Sequence, residues 1–343
     1  MNRRKFTTTA ALSTLSAFTI ANAPQATNRK KIKPKRLKKG DTLALITPGS
    51  FISDESLQKA VVNAENLGFK VALSKNIRSK RGFTAGTDAE RLADLHWAFQ
   101  DTKINGVWCA RGGYGCGRIL QNIDYQIIKK NPKALIGYSD ITALLNAITC
   151  KTGLITFHGP VGASEFPEFT HNHFQNTLMF PNTIQKLALA VANAEQEDSI
   201  YHSFSIRSGK AKGELVGGNL SLLAAMVGTP FQPVFKNKIV FIEDVGERPY
   251  RIDRMLTQLR QGTDLQQAAG IALGIFADCE AKEGSDSLTL KQTLTDRLAD
   301  LGMPVAYGLS FGHIDHQITL PIGIAASFDA DQFSLTLNEA AVE

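Results

Sequence analysis

Apolar positions fall in short unbroken runs separated by stretches with helical spacing. The run Thr42–Thr47 (TLALIT) ends at Pro48-Gly49, which predicts a buried strand. Ser53-Asp54 then precedes Leu57, Val61 and Ala64, one helical face stopped by Gly68. A short strand is expected at Lys70–Leu73, followed by a basic loop to Gly86. Thr87-x-x-Glu90 has the spacing of a capping box, and its helix carries Leu92, Leu95 and Phe99 on one face. Gly106–Ala110 and Ala134–Gly137 are further apolar runs, and Asp140–Cys150 reads as an apolar helix. Continuous apolar strands alternating with helices predict a parallel sheet covered on both faces. Ligands bind such sheets beyond the carboxyl ends of the strands, where Arg111–Gly117 and Tyr138-Ser139-Asp140 fall.

The pattern weakens over residues 165–210, which are polar and contain Pro167 and Pro181, as in an inter-domain connection. It resumes with strands expected at Gly213–Val216, Ile239–Glu243, Ile271–Phe276 and Pro304–Tyr307. Helices are expected at Leu220–Val227, Ile252–Gln261 and Leu288–Leu301, and a closing hairpin at Ile324–Phe328 and Phe333–Leu337. The expected fold class is α/β. A parallel-sheet α/β sandwich domain spans 40–164, and a mixed, β-rich, barrel-like α/β domain spans 211–343. At roughly 100–200 residues per domain, 343 residues suit two.

Charge changes the picture only once it is located. The net charge is +6, yet eleven of the 38 Lys and Arg precede Asp41 and no acid does. The remainder carries 27 basic against 32 acidic residues, so the body is mildly acidic and nucleic-acid binding is not expected. Residues 1–39 read as a leader and basic spacer. Arg3-Arg4-x-Phe6, a soft apolar stretch to Ile20 and Ala21-Asn-Ala23 have the form of a twin-arginine export signal. Pro24 directly follows that cleavage site and disfavours it, which leaves cleavage elsewhere or an uncleaved anchor as alternatives. The expected location is therefore periplasmic or otherwise exported, with a cytoplasmic protein as the alternative. No apolar run reaches the roughly 20 residues of a membrane span, so no stable span is expected.

Four cysteines without a C-x-x-C pair exclude zinc-finger and thioredoxin motifs. Cys109, Cys150 and Cys279 read as buried apolar residues, and Cys116, in a Gly-rich turn, as the one candidate reactive thiol. That turn, Arg111-Gly-Gly-Tyr-Gly-Cys-Gly117, matches neither G-x-x-x-x-G-K-[ST] nor G-x-G-x-x-G. What remains is a set of free N–H groups beside one cation, suited to an oxyanion or a carboxylate. Ser139 lies at a strand-to-helix turn, either as an exposed nucleophile or as an ordinary N-cap, because Ile141 replaces the second Gly of G-x-S-x-G. Glu243 ends a strand. His313 and His316 flank Asp315, a spacing compatible with metal but without an H-E-x-x-H or Cys partner, so no metal or other cofactor is expected. His158, in Phe157-His-Gly-Pro160, reads as a turn-ordering residue.

Taken together these segments resemble the LD-carboxypeptidase family of serine peptidases, which also includes the microcin C self-immunity proteins. The resemblance rests on Gly40–Pro48, Ala85–Arg91, Trp108–Gly115, Ile136–Ala143, Phe157–Pro160, Gly217–Leu220, Ile242–Glu247 with Tyr250–Met255, and Phe311–His313, in family order. It implies Ser139 as nucleophile, Glu243 as acid and His313 as base. It also implies oxyanion donors on the backbone around Gly112–Gly113 and at Asp140. An exopeptidase needs a fork for the terminal carboxylate, and Arg111 is the first candidate, with Arg251 and Arg254 behind it and Tyr114 beside it. The implied reaction is release of D-Ala from a muropeptide tetrapeptide, and the implied assembly is a homodimer. The alternatives are a microcin-immunity-type amidase acting on a peptidyl-nucleotide and a non-catalytic peptidoglycan-binding module. With Ser139 in one half and Glu243 and His313 in the other, the site is expected between the two domains.

Overall fold

Two sheets share one interior. The computed structural model describes residues 30–180 and 183–343, so the export-signal expectation lies outside the described residues. In the first sheet, β1 (Thr42–Ile46), β2 (Lys70–Leu73), β3 (Gly106–Cys109), β4 (Ala134–Gly137) and β5 (Thr156–His158) are parallel. The helices between them include α1 (Asp54–Asn66), α2 (Asp88–Gln100), the short α3 (Cys116–Ile119) and α4 (Tyr125–Lys130), and α5 (Thr142–Thr152). The capping box expected at Thr87 is made in both directions: its side chain accepts from the Glu90 N–H, and Glu90 accepts from the Thr87 N–H.

The strand order runs β5-β4-β3-β1-β2, so the chain leaves β1 to one side for β2 and returns on the other for β3. A crevice opens at such a reversal, beyond the carboxyl ends of β1 and β3.

Residues 165–210 are more structured than their polarity suggests. They form α6 (Glu168–Leu178), β6 (Gln185–Leu187), the short α7 (Val191–Ala194) and β7 (Phe204–Arg207). The helix is anchored by the tilted pair of Phe174 on Trp108, ring centroids 5.3 Å apart. The second sheet adds β8 (Lys210–Asn219), β9 (Lys238–Val245), β10 (Gly270–Ala277), β11 (Val305–Tyr307), β13 (Ala325–Asp329) and β14 (Ser334–Leu337). Its order is β6-β14-β13-β8-β9-β10-β11-β7. Strands β8 to β11 are parallel and the flanks antiparallel. This sheet is mixed, as expected, but it is open: the short β6 and β7 end its two edges without meeting, so no barrel closes. Helices α8 (Leu220–Ala225), α9 (Pro249–Gly262) and α10 (Leu290–Leu298) cover its outer face.

Strand β12 (Leu320–Ile322) comes from the second half yet pairs antiparallel with β5, finishing the first sheet. The two halves also share a core. Phe241 and Phe311 from the second half are fully buried in one cluster with Trp108, Ile136 and Phe157 from the first. Each such aromatic contributes about 1.5–3 kcal/mol on burial, so the junction is a packed interior rather than a loose hinge.

Candidate active site

Strand parity determines where the acids of β9 point. Ile239 and Phe241 enter the shared core while Val240 and Ile242 enter the outer cluster. Successive side chains alternate faces, so Glu243 faces the junction and Asp244 faces α8. Asp244 accepts from the Asn219 Nδ2 (2.9 Å), the Ser221 N–H (2.9 Å) and the Ser221 hydroxyl (2.8 Å). Burial pushes its carboxyl up to about 6, with the Glu243 charge adding to the effect.

Glu243 is fully buried and accepts through Oε2 from Nδ1 of His313, 2.8 Å away. Burial works to raise the Glu243 carboxyl, but the His313 charge and hydrogen bond outweigh it and hold the group below its ordinary value. For His313, burial works to lower the imidazolium, and Glu243 outweighs that in turn, so the ring sits above its ordinary value. The bond fixes the tautomer: with Nδ1 carrying the proton, Nε2 is the basic nitrogen. Gly312 makes the approach possible. Its φ is +124°, and a Cβ there would lie 3.2 Å from the Glu243 Cβ and 2.6 Å from the Ile275 carbonyl oxygen.

Opposite this pair, β4 ends at Gly137 and the chain turns through Tyr138 into a single 3₁₀ turn, Ser139–Ile141, leading to α5. Ser139 has φ +62°, a left-handed conformation that a non-glycine residue holds only where its surroundings impose it. Tyr138, the residue before Ser139, packs its ring on His313, centroids 4.8 Å apart. Behind the turn, the Asn219 N–H donates to the Thr142 hydroxyl (3.0 Å), and Asn146 Nδ2 donates to the Gly217 carbonyl (2.9 Å). Asn219 is the β8 residue registered with Glu243, so α5 is tied to the strand beside the acid.

The third wall is the Gly-rich turn after β3. Gly112 lies directly against the serine: a Cβ on it would stand 3.1 Å from the Ser139 Cβ and 3.2 Å from the Tyr138 carbonyl oxygen. Neither the Gly112 nor the Gly113 N–H finds a backbone acceptor among the described residues. Three contacts hold the turn. The Ser50 N–H donates to the Gly112 carbonyl (3.0 Å), the Tyr114 N–H to the Ser50 hydroxyl (3.0 Å), and the Cys116 N–H to Asp140 Oδ2 (2.8 Å). Sequence reasoning gave no role to Arg91. It is buried on α2 and donates to the carbonyls of Pro48 and Gly115, which clamps the loops after β1 and β3 together. Its position four residues before buried Leu95 was the available signal.

Other sequence candidates lie at the rim, in the core or on α9. Cys116 is fully buried, and burial followed by the Asp140 charge holds its thiol far above the ordinary range, so it is not a reactive thiol. The cysteines are all free. His316 stands 6.5 Å from Phe169, ring to ring, while His313 is turned to Glu243. Among the described residues no cluster of three His, Cys, Asp or Glu side chains is arranged to hold a metal. Arg111 is exposed on the rim and donates to the Phe51 carbonyl (2.8 Å). Tyr114 meets Phe83 edge-on at 5.2 Å. On α9, Arg251 pairs with Glu247 and Tyr250, and Arg254 is exposed. His158 orders no exposed turn; it ends β5 as a fully buried ring in the junction. A cavity of about 760 Å³ near the start of β8 touches none of Ser139, Glu243 or His313. No helix among the described residues is long and apolar enough to cross a membrane.

The site thus holds an imidazole bonded to a buried carboxylate, a serine with left-handed backbone, and backbone N–H groups without a backbone acceptor. Comparison with known proteins shows the family. Residues 43–159 match the model of the LD-carboxypeptidase N-terminal domain, and residues 212–328 that of the LD-carboxypeptidase C-terminal domain. The chain belongs to the LD-carboxypeptidase family. It is 41% identical over 297 residues to a probable murein peptide carboxypeptidase of Bacillus subtilis, covering 87% of this chain and 91% of that one. The muramoyltetrapeptide carboxypeptidase of Oxalobacter formigenes superposes with a TM-score of 0.74 at 30% identity, over 86% of this chain and 97% of that one. MccF in complex with glutamyl sulfamoyl guanosine superposes with a TM-score of 0.81 at 26% identity, over 91% of this chain and 99% of that one.

Proposed function

We propose that this protein is a serine carboxypeptidase that releases the terminal D-Ala from a murein tetrapeptide, with Ser139 as nucleophile, His313 as general base and Glu243 as its orienting acid. The observation that carries this reading is the 2.8 Å bond from His313 Nδ1 to buried Glu243, set against the strained Ser139 turn through Tyr138. A serine hydroxyl is a weak nucleophile until an adjacent base takes its proton. In this reading Nε2 of His313 takes the Ser139 proton as Oγ bonds to the amide carbon. The resulting oxyanion is held by the Gly112, Gly113 and Asp140 N–H groups. His313 then delivers the proton to the departing D-Ala amine, and Glu243 stabilises the imidazolium between these events. Water, activated by the same ring, cleaves the acyl-Ser139 ester. Arg111 and Tyr114 on the rim receive the substrate's terminal carboxylate and its body.

The test is mass spectrometry of D-Ala release from purified tetrapeptide, with pentapeptide and an aminoacyl-adenylate analogue in parallel. Ser139→Ala should abolish release by on the order of 10⁶ in kcat. Undiminished release would remove the nucleophile assignment. Preference for the adenylate would move the protein to the immunity-type amidases, and binding without cleavage would make it a peptidoglycan-binding module. The leader-like residues 1–39 favour an exported protein over a cytoplasmic one, and the family resemblance favours a homodimer; fractionation of the intact chain and light scattering test these.

A further inference from the structure

His158 occupies an unusual place for a residue without a protein hydrogen-bond partner. It is fully buried at the end of β5, with Gly137 of β4 on one side and Leu320 of β12 on the other. Its ring lies 5.2 Å from Phe241, 6.4 Å from Phe311 and 6.1 Å from Tyr138. Phe241 is two residues before Glu243, Phe311 two before His313, and Tyr138 one before Ser139, so His158 sits among the immediate neighbours of all three proposed triad members. Neither ring nitrogen has a partner among the described residues, and the unpartnered buried atoms include Oε1 of Glu243, the carboxylate oxygen not bonded to His313. Buried polar groups without a protein partner are commonly satisfied by an ordered internal water.

We propose that His158 is a positioning residue for the Glu243–His313 pair: a neutral imidazole that donates one ring N–H, across a single buried water, to Oε1 of Glu243. This inference rests on the reading of His313 as the base. A carboxylate that accepts on both oxygens shares its charge between two donors. The second donor therefore restrains how strongly Glu243 holds a proton on His313, and it fixes the carboxylate plane. The titratable groups facing His158 are Glu243 from β9, His313 from the loop before β12 and Tyr138 from the end of β4; Asp244 points away toward α8. A second cation in this cage would compete with His313 for the same carboxylate. Burial opposes that charge and lowers the His158 ring to about 4, which favours the neutral form.

The experiment compares wild type, His158→Phe and His158→Gln in the full chain. It reads the acid limb of kcat/KM for D-Ala release and, independently, the His313 titration by NMR of ring-¹⁵N histidine. His158→Phe keeps the ring shape and removes the donor, so the acid limb and the His313 midpoint should both rise by about half a unit to one unit, the worth of one hydrogen bond. His158→Gln restores an N–H and should return both toward wild type. A folded Phe variant with an unmoved His313 midpoint would overturn the proposal, as would a Gln variant displaced as far as Phe. If the Phe variant does not fold, the wild-type His158 signal decides: a ring found charged at pH 6 overturns the assignment. Wild type that releases no D-Ala while the His313 midpoint still responds to His158 would refute the carboxypeptidase reading and leave the His158 coupling standing.

Discussion

Replacing Glu243 by glutamine isolates what the buried carboxylate does. Glutamine has the same shape, so the fully buried site stays filled, and its carbonyl can still meet His313 Nδ1. The negative charge is lost. In the proposed mechanism His313 starts neutral, and once it has taken the Ser139 proton it carries a full charge beside residue 243. Two unit charges about 4 Å apart attract by about 4 kcal/mol at an effective dielectric near 20. That attraction is present only after proton transfer, so its loss falls on the barrier and corresponds to about 10³ in rate. Part of the glutamine population also presents its NH₂ to Nδ1 and favours the wrong tautomer, which in other triads brings the total to about 10⁴. Glu243→Gln should therefore lower kcat for D-Ala release by 10³–10⁴, on the order set by these two effects, with KM little changed. Single-turnover release followed by mass spectrometry reads this directly, and far-UV circular dichroism confirms the fold. A folded glutamine variant within tenfold of wild type would show that the 2.8 Å bond orients nothing that matters to the chemistry.

Three further outcomes are expected. As the proposed base, His313 would have to be neutral, and its pKa is raised above 6.5, so kcat/KM should fall as pH drops through a value above 6.5; an acid limb below 6.5 would contradict the pairing. For stability, the raised His313 contributes fully below 6.5 and loses that contribution as pH rises through its folded value, while the lowered Glu243 contributes above 4.5 and loses it on acidification. The thermal midpoint of wild type relative to His313→Ala should thus differ most between 4.5 and 6.5, and a difference that grows above pH 8 would refute the linkage. Gly112→Ala places a methyl 3.1 Å from the Ser139 Cβ, so the serine turn must shift; kcat should fall about 10- to 100-fold with the melting temperature nearly unchanged, and an unaffected kcat would show slack where the structure shows contact. Arg91→Met removes the donors to the Pro48 and Gly115 carbonyls while keeping apolar bulk, and should cost about 2–4 kcal/mol in urea unfolding together with activity; a loss under about 1 kcal/mol would mean the clamp is dispensable.

Local chemistry made much of this molecule readable before its structure. The Ala134–Gly137 strand and the Thr87–Glu90 box form where their residues indicate, because each is determined by its own few positions. Glu243 at a strand end and the Gly-rich turn were visible for the same reason. What stayed hidden depends on distant partners. β5 and β12 are three residues each, too short to show a period, and β12 carries Pro321, which suits an edge but lowers any strand signal. α6 has a polar face broad enough to pass for a connector, and its burial against Trp108 exists only in the folded chain. His158 looked like a turn residue because nothing near it in sequence announces that Phe241 and Phe311 will close around it.

Strand β12 has a consequence for the order in which this protein comes into being. On the ribosome, the sheet that bears Ser139 lacks its outer border until residues 320–322 have emerged, long after β5 itself. The growing chain thus carries Ser139 long before the sheet around it is complete. A product cut short before residue 320 would leave β5 as a bare edge, with its backbone N–H and C=O groups unpaired on that side.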